Sequence, residues 1–219
     1  MAWDPQEASP FMDAWKHGEG QVVPGTALGD FLMNVAKNTQ YTKYLEIGTW
    51  SGMGSTRCFH RGFLERKSPF VFKSLECNKD KCEMAAMHYT EYPFIQILNS
   101  SVIPATSIPA TDELKAMFED LVEHWHTIDM ENLATCALLE DRDFEVVFLD
   151  GGEYTTYFEY KELVSSCPSL RMIICDDTNM NKCKKVREEL LASPDWKILV
   201  DRPDDRNGWC AFVRVVNDP

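Results

Sequence analysis

Apolar residues along this chain follow two different periods in turn, and the alternation predicts a series of strands and helices. Short apolar runs rich in β-branched and aromatic residues, at residues 44–47 and 144–149, have the length and composition of buried strands. Between such runs, apolar residues recur at helical spacing, as they do from Thr26 onwards. Strands that alternate with helices indicate an α/β fold with a mostly parallel sheet.

The predicted elements show no internal repeat and indicate one domain over residues 1–219. Strands are predicted at residues 44–47, 69–75, 94–98, 144–150, 171–179, 196–200 and 210–216, and helices at 26–36, 55–66, 79–89, 112–125, 130–139, from about 154, and at 181–192. A turn signal at residues 206–208 makes the last two strands an antiparallel hairpin.

Two stretches do not fit the simple alternation. Residues 1–24 have no sustained period and are predicted to form an arm that packs over the domain or partly covers the site. Residues 102–143 are longer than a simple connection, so they form either a helical insertion that caps the substrate or a longer crossover. His124 and His126 lie in this stretch and are interpreted as surface or packing residues.

A glycine loop at residues 43–56, KYLEIGTWSGMGST, joins the first predicted strand to a helix. Glycines let backbone N–H groups approach a ligand closely, and the helix that follows offers its positive end to an anionic group. The spacing Glu46-x-Gly48-x-x-x-Gly52-x-Gly54 differs from the dinucleotide pattern G-x-G-x-x-G. The spacing therefore disfavours a nicotinamide-dependent dehydrogenase.

The loop resembles motif I of the class I S-adenosylmethionine-dependent methyltransferases, in which it wraps the methionine and ribose parts of the cofactor. The resemblance implies a Rossmann-like, seven-stranded and mostly parallel sheet with an antiparallel last strand and helices on both faces. It also assigns Glu76, at the end of the second strand, to the ribose hydroxyls, and Asn99 and Ser100 to the adenine. The other implied cofactor contacts are Glu46, Gly48, Thr49, Ser51, Gly52, Gly54, Ser55, Thr56 and Asp150.

Three acids follow two strands that are expected to be neighbours, Asp150 after one and Asp176 and Asp177 at the end of the other. Crowded carboxylates repel one another and have raised pKa values unless a cation compensates them. Hard divalent cations take oxygen ligands, and a bound metal ion can lower the pKa of a substrate hydroxyl. The sequence thus predicts that these three aspartates bind Mg²⁺ or another divalent cation.

The same residues carry a second resemblance. Asp150-Gly151-Gly152-Glu153-Tyr154, followed by Asp176-Asp177-Thr178, is similar to the metal-site pattern of catechol- and caffeoyl-CoA-type O-methyltransferases and of macrocin-type sugar O-methyltransferases. The catechol type has a lysine base at the position of Glu153, and the sugar type has an acid at the position of Gly152. We therefore predict Glu153 as the general base, with an acid favoured by the dipole at a helix N-terminus as the alternative interpretation, and Asp150 as the second catalytic residue.

Tyr154, Tyr157 and Tyr160 favour a sugar acceptor, because aromatic rings stack on the apolar faces of sugars, while helix packing is the alternative interpretation for each of them taken singly. The chain also resembles methyltransferase domains that accompany glycosyltransferases in large DNA viruses of algae. That resemblance implies O-methylation of a deoxyhexose such as rhamnose in a glycan, with a glycosyltransferase domain or a second copy of the chain as partner. The alternatives are a phenol O-methyltransferase or an N-methyltransferase with structural Asp176 and Asp177, and a non-catalytic scaffold domain.

Composition limits the partners and the compartment. The chain carries 22 basic and 35 acidic residues, a net charge of −13, which disfavours nucleic acid. A basic cluster at residues 182–187 is interpreted as a solvated helix face. Eight cysteines without a C-x-x-C pair indicate reduced thiols. With no apolar run of membrane-spanning length and no recognisable signal peptide, we expect a cytoplasmic protein, or one of the host cytoplasm if it is viral.

Overall fold

The computed structural model of the chain describes residues 20–118 and 121–215. Its helices are α1 (Ala27–Lys37), α2 (Ser55–Leu64), α3 (Lys79–His88), α4 (Thr111–Met117), α5 (Glu123–Thr135), α6 (Thr156–Ser166) and α7 (Lys184–Ala192). Its strands are β1 (Lys43–Ile47), β2 (Val71–Leu75), β3 (Ile95–Leu98), β4 (Ser100–Ser101), β5 (Ala137–Leu138), β6 (Val146–Leu149), β7 (Met172–Asp176), β8 (Trp196–Arg202) and β9 (Trp209–Arg214).

Seven strands form one sheet in the order β3-β2-β1-β6-β7-β9-β8, and β4 pairs with β5 in a small second sheet. Within the large sheet β9 runs antiparallel to both of its neighbours, whereas the pairs among the first five strands are parallel. The predicted sheet, mostly parallel with an antiparallel last strand, is confirmed. The strand order reverses between β1 and β6, and in such sheets ligands bind at the carboxyl ends beside that point.

Helices cover both faces of the sheet because the central strands bury side chains on both faces. Along β1, Leu45 and Ile47 pack into the core that includes Leu163 of α6 and Val186 of α7. Tyr44 points into the opposite core, which is built on α1 and α2. This two-sided burial holds the carboxyl ends of β1, β6 and β7 in fixed positions at one edge of the sheet.

The two helices predicted between residues 102 and 143 exist with different bounds. α4 ends at Met117 because the backbone of Phe118 is extended, and α5 begins only at Glu123. The hydroxyl of Tyr154 accepts a hydrogen bond from the backbone N–H of Val122 (2.7 Å), which ties the start of α5 to the main domain. The second predicted helix was wrong at its end, where residues 137–138 pair as β5 with β4.

The structure differs from the prediction at the end of β7, and two predicted stretches are only partly described. Residues 1–19 of the predicted arm lie outside the described residues, as does Val216 of the last predicted strand. β7 ends at Asp176, and α7 begins at Lys184 instead of at residue 181, so that residues 177–183 form a connecting loop. Among the helices within residues 20–118 and 121–215, none has the length and apolar character needed to cross a membrane.

Candidate active site

A crevice of about 620 Å³ opens at the carboxyl ends of β1, β2, β6 and β7. The glycine loop after β1 and the loop after β6 form its floor, and one side of α5 forms a wall through Trp125, Ile128 and Asp129. Its volume lies in the range of small-molecule sites. Of the predicted insertion, α5 is therefore the part that borders the candidate site.

The glycine loop brings two strand ends together. Gly48 has φ +94°, and a Cβ at this position would lie 2.0 Å from the backbone oxygen of Asp150, so that only glycine permits the approach. Gly54 lines the crevice at the start of α2. Gly52 faces the other way and packs against the ring of Tyr89, whose hydroxyl donates to its carbonyl oxygen.

Glu46 is fully buried beneath this loop. Its Oε2 accepts hydrogen bonds from the hydroxyls of Thr56 (2.6 Å) and Ser74 (2.5 Å), while its Oε1 has no hydrogen-bond partner. Burial raises the pKa of this carboxyl to about 7, and the hydroxyl donors only partly oppose the shift. Glu46 thus organises the loop from below.

Glu76 is the acid best placed for a ribose. It borders the crevice at the end of β2, and its two carboxylate oxygens accept from the backbone N–H groups of Trp50 (2.7 Å) and Asn78 (2.9 Å). These bonds fix the carboxylate and leave lone pairs for a ligand. Burial raises its pKa.

Trp50, in the same loop, has a positive φ of +52°. The Nζ atom of Lys81 lies over the Trp50 ring, 3.4 Å from the ring centre.

The small polar residues predicted to contact the cofactor separate into two groups. Thr49, Ser55 and Ser100 line the crevice. Ser51 and Thr56 are buried and are not part of the crevice lining.

Asn99 supports the crevice from the side. Its amide donates to the backbone oxygens of Glu76 (2.8 Å) and Cys77 (2.9 Å) and so ties the ends of β3 and β2 together. The adenine contact predicted for it stays a prediction.

The three predicted metal ligands do converge, and we call Asp150, Asp176 and Asp177 the aspartate cluster. One carboxylate oxygen from each lies within 4.8 Å of the others. Burial, followed by the charges of its two neighbours, raises the pKa of Asp176 to about 7, and burial also raises that of Asp150. Asp177, with φ +53°, adopts a backbone conformation that is uncommon outside glycine.

Two cationic side chains already occupy the aspartate cluster. The Nζ atom of Lys182 lies 2.7 Å from Asp150 Oδ1 and 2.8 Å from Asp177 Oδ2. The guanidinium of Arg206 donates to both oxygens of Asp176 at 2.7 Å. Carboxylates suit Mg²⁺ chemically, but in this arrangement each of the three is already paired with a cationic side chain of the chain itself. The cluster as folded does not fit a divalent cation.

Neither cation was expected from the sequence. Lys182 was interpreted as part of a solvated helix face, which was wrong, because it precedes α7 and its side chain is only 16% exposed. Arg206 was interpreted as part of a turn; it lies there, between β8 and β9, but its side chain reaches the end of β7. The one signal in the sequence is the excess of acids at the strand ends, which indicates that cations from other parts of the chain must compensate them.

Glu153, the predicted base, lines the crevice, and its pKa is raised by burial although Lys182 and the backbone of Asn181 oppose the shift.

A second carboxylate of the crevice, Asp129, is not predicted from the sequence. It lies on α5, its Oδ2 accepts from the backbone N–H of Tyr154 (3.0 Å), and burial raises its pKa to about 6. A Cβ on Gly152 would come within 2.7 Å of Asp129 Oδ1, so this glycine leaves room for the carboxylate.

The tyrosines interpreted as sugar contacts have other positions. Tyr154 and Tyr160 are buried in the core, and Tyr157 donates to Glu189. The exposed aromatic residue on the α5 side of the crevice is Trp125, at 53% exposure. His124 is exposed beside it.

The described backbone can be compared with solved structures. A SAH-bound methyltransferase of Podospora anserina, PaMTH1, has 16% sequence identity and a TM-score of 0.56, over 86% of this chain and 78% of that one. An O-methyltransferase from Bacillus cereus in complex with SAH has 17% identity and a TM-score of 0.55, over 93% and 86%. The chain has the class I methyltransferase fold.

Another chain with this fold is the O-methyltransferase TomG from Streptomyces achromogenes, which was solved in complex with SAM. It has 15% identity and a TM-score of 0.50, over 86% of this chain and 79% of that one. No protein-family model matches the sequence, and no curated protein is significantly similar to it. The likeness at these identities therefore concerns the class I methyltransferase fold alone.

The buried carboxyl of Glu46 predicts a pH dependence of stability. Its pKa is about 7 in the folded chain against an ordinary 4.5, so the folded state retains a proton that the unfolded state has lost between these values. The free energy of unfolding should therefore fall, by about 2–3 kcal/mol from this group, as the pH rises through that interval. Urea denaturation of Glu46→Gln at about pH 5 and about pH 8 should show a smaller fall than in the wild type.

The matched control is Glu83→Gln, since Glu83 is exposed on α3. It should retain the wild-type pH dependence. Equal slopes for Glu46→Gln and the wild type would contradict the raised pKa.

Proposed function

We propose that this chain is an S-adenosylmethionine-dependent O-methyltransferase that methylates a sugar hydroxyl, with a deoxyhexose such as rhamnose in a glycan as acceptor. The observation that carries the proposal is the fixed carboxylate of Glu76 beside the glycine loop, at the reversal point of the sheet. A carboxylate there can accept hydrogen bonds from both ribose hydroxyls. SAM and SAH are bound in solved chains of this fold.

The charge of the crevice supports a neutral acceptor. Its lining includes Lys182, Asp150, Asp176 and Asp177, and the three aspartates are paired with Lys182 and Arg206. Apart from this cluster, the lining acids outnumber the one lysine, Lys81; these acids are Glu76, Asp129, Glu153 and Glu159. Such a lining attracts a sulfonium cation and repels phosphates and carboxylates. A neutral sugar therefore suits the site better than an acyl-CoA or a nucleotide.

When bound, S-adenosylmethionine supplies an electrophilic methyl group on a sulfonium. The contribution of the chain is to align the acceptor hydroxyl with that methyl group and to receive the hydroxyl proton. Glu153 is the proposed proton acceptor, and the loop after β6 that carries it also carries Asp150. No covalent intermediate with a cysteine is needed, because the leaving group is a neutral thioether.

Trp125 supports a sugar acceptor in place of the buried tyrosines. Its ring lies on the crevice wall and is half exposed, so that it offers an apolar face next to the acids. Sugars present both hydroxyls and apolar C–H faces. The acids of the crevice can accept hydrogen bonds from the hydroxyls, and the ring of Trp125 can stack on a C–H face. The proposal that α5 caps the substrate follows from the same position.

Several finer proposals remain beside this one. Magnesium assistance, predicted from the aspartates, would require Lys182 to leave the cluster, and the proposed methyl transfer does not depend on it. A phenol acceptor on the same fold and a non-catalytic scaffold beside a glycosyltransferase are the alternative functions. A glycosyltransferase partner, a homodimer and a cytoplasmic location are proposals too.

The first test is calorimetric titration with S-adenosylmethionine and S-adenosylhomocysteine. The wild type should bind both ligands with micromolar affinity, and Glu76→Ala should bind both about 10- to 100-fold more weakly, because the loss of even one hydrogen bond to a charged group costs about 1.5–3 kcal/mol. Glu83→Ala removes an exposed acid of α3 and should bind like the wild type. Absence of binding by the wild type would contradict the methyltransferase proposal and favour the scaffold.

A second test separates the acceptor site from the cofactor site. Trp125→Ala should raise KM for a rhamnoside acceptor by about 3- to 10-fold, since an aromatic stacking contact is worth about 0.5–1.5 kcal/mol. The affinity for S-adenosylmethionine should not change, and Trp125→Phe should retain most of the acceptor affinity. Equal KM values in all three proteins would contradict the stacking role.

A third test concerns the proton acceptor. Glu153→Gln preserves shape and removes the base, so kcat should fall by about 10²- to 10⁴-fold with unchanged binding of S-adenosylmethionine. Asp129→Asn is the matched variant on the opposite wall of the crevice. A large loss in Asp129→Asn with an active Glu153→Gln would contradict the assignment and transfer the role to Asp129.

A further inference from the structure

We propose that Lys182 is the resident cation of the aspartate cluster and keeps divalent metal ions out of it. Its ammonium bridges Asp150 and Asp177 at 2.7 and 2.8 Å, within the distance of charge-assisted hydrogen bonds. Burial disfavours the ammonium, but these two acids raise its pKa above the ordinary value. The lysine is thus held charged between two of the three carboxylates that a metal ion would need.

Arg206 withdraws the third carboxylate from metal binding. Both oxygens of Asp176 accept from its Nη2 atom, and its guanidinium also lies 3.7 Å from Asp177. The two cations balance two of the three negative charges of the cluster. A divalent ion added beside them would meet two positive charges at short range, in a site where solvent screening is weak.

The surrounding backbone holds Lys182 in this position. The positive φ of Asp177 turns the chain sharply after β7, and the amide of Asn207 donates to Asp177 Oδ1 at 3.0 Å. On the other side, Cys183 is fully buried, and its thiol donates to the backbone oxygen of Leu149 (3.6 Å). Anchors on both sides of Lys182 distinguish it from a surface lysine that turns inward by chance.

The role of Lys182 in methyl transfer rests on the proposed function, whereas the exclusion of metal ions does not. In that reaction the C–O bond forms as the C–S bond breaks, the sulfur leaves as a thioether, and the hydroxyl proton passes to Glu153. Lys182 exchanges no proton, and its positive charge stabilises the oxygen as negative charge develops on it. Methyl transfer should therefore be insensitive to EDTA.

The test is a titration with Mn²⁺ followed by electron paramagnetic resonance, on the full chain. The wild type should not bind Mn²⁺ at millimolar concentration, so the spectrum should show only the signal of free Mn²⁺. Lys182→Met removes the internal cation at similar side-chain length and should bind one Mn²⁺ at least about tenfold more tightly than the wild type, because Asp150 and Asp177 then lose the cation that bridges them. Lys197→Met, a change of the same charge at an exposed position of β8, should behave like the wild type.

Two results would overturn the proposal. Binding of Mn²⁺ by the wild type would show that the lysine does not close the cluster, and this measurement does not depend on how Lys182→Met folds. Absence of binding in a folded Lys182→Met would show that the cluster is not a cation site that the lysine closes. Calorimetric titration of the same wild-type sample with S-adenosylmethionine reports separately on the proposed function.

Discussion

The neutralisation of three carboxylates where β6 and β7 end is the interaction on which this site depends. Partly buried charges are tolerated only when they are paired and hydrogen-bonded. Here the partners come from separate parts of the chain, since Lys182 precedes α7 and Arg206 lies in the turn between β8 and β9. The ion pairs therefore fix the last third of the fold against the sheet and at the same time set the charge of the crevice.

Local patterns predicted the sheet and the convergence of the acids, but not the cations. Strand composition and glycine spacing are local, and the carboxyl ends of neighbouring parallel strands must meet, so Asp150 and Asp176 could be placed together. The position of Lys182 depends on a backbone reversal at Asp177, whose positive φ is uncommon outside glycine and is not marked by a glycine in the sequence. Arg206 reaches the cluster because the antiparallel hairpin places its turn beside β7. The contacts of Lys182 and Arg206 with the aspartates therefore cannot be predicted from the periodicity of apolar residues.

Residues 102–143, which supply the α5 wall of the crevice, were also only partly predictable from local patterns. The apolar stripe indicated helices there, but an amphipathic pattern does not say where one helix stops when its neighbours supply the packing. The contact between Asp129 and the space beside Gly152 joins residues 23 positions apart on two elements. The sequence alone shows only that position 152 is a glycine. In the fold, the absence of a side chain at Gly152 leaves the space that the carboxylate of Asp129 occupies.

An ammonium and a divalent metal ion differ in what they can offer an acceptor. A metal ion that keeps open positions can bind two adjacent oxygens at once, as a catechol would supply them. An ammonium has three donors, and Lys182 uses two of them on Asp150 and Asp177. One N–H remains for one oxygen. With Lys182 as its cation, the cluster therefore offers a contact to one acceptor oxygen and does not depend on an acceptor that chelates.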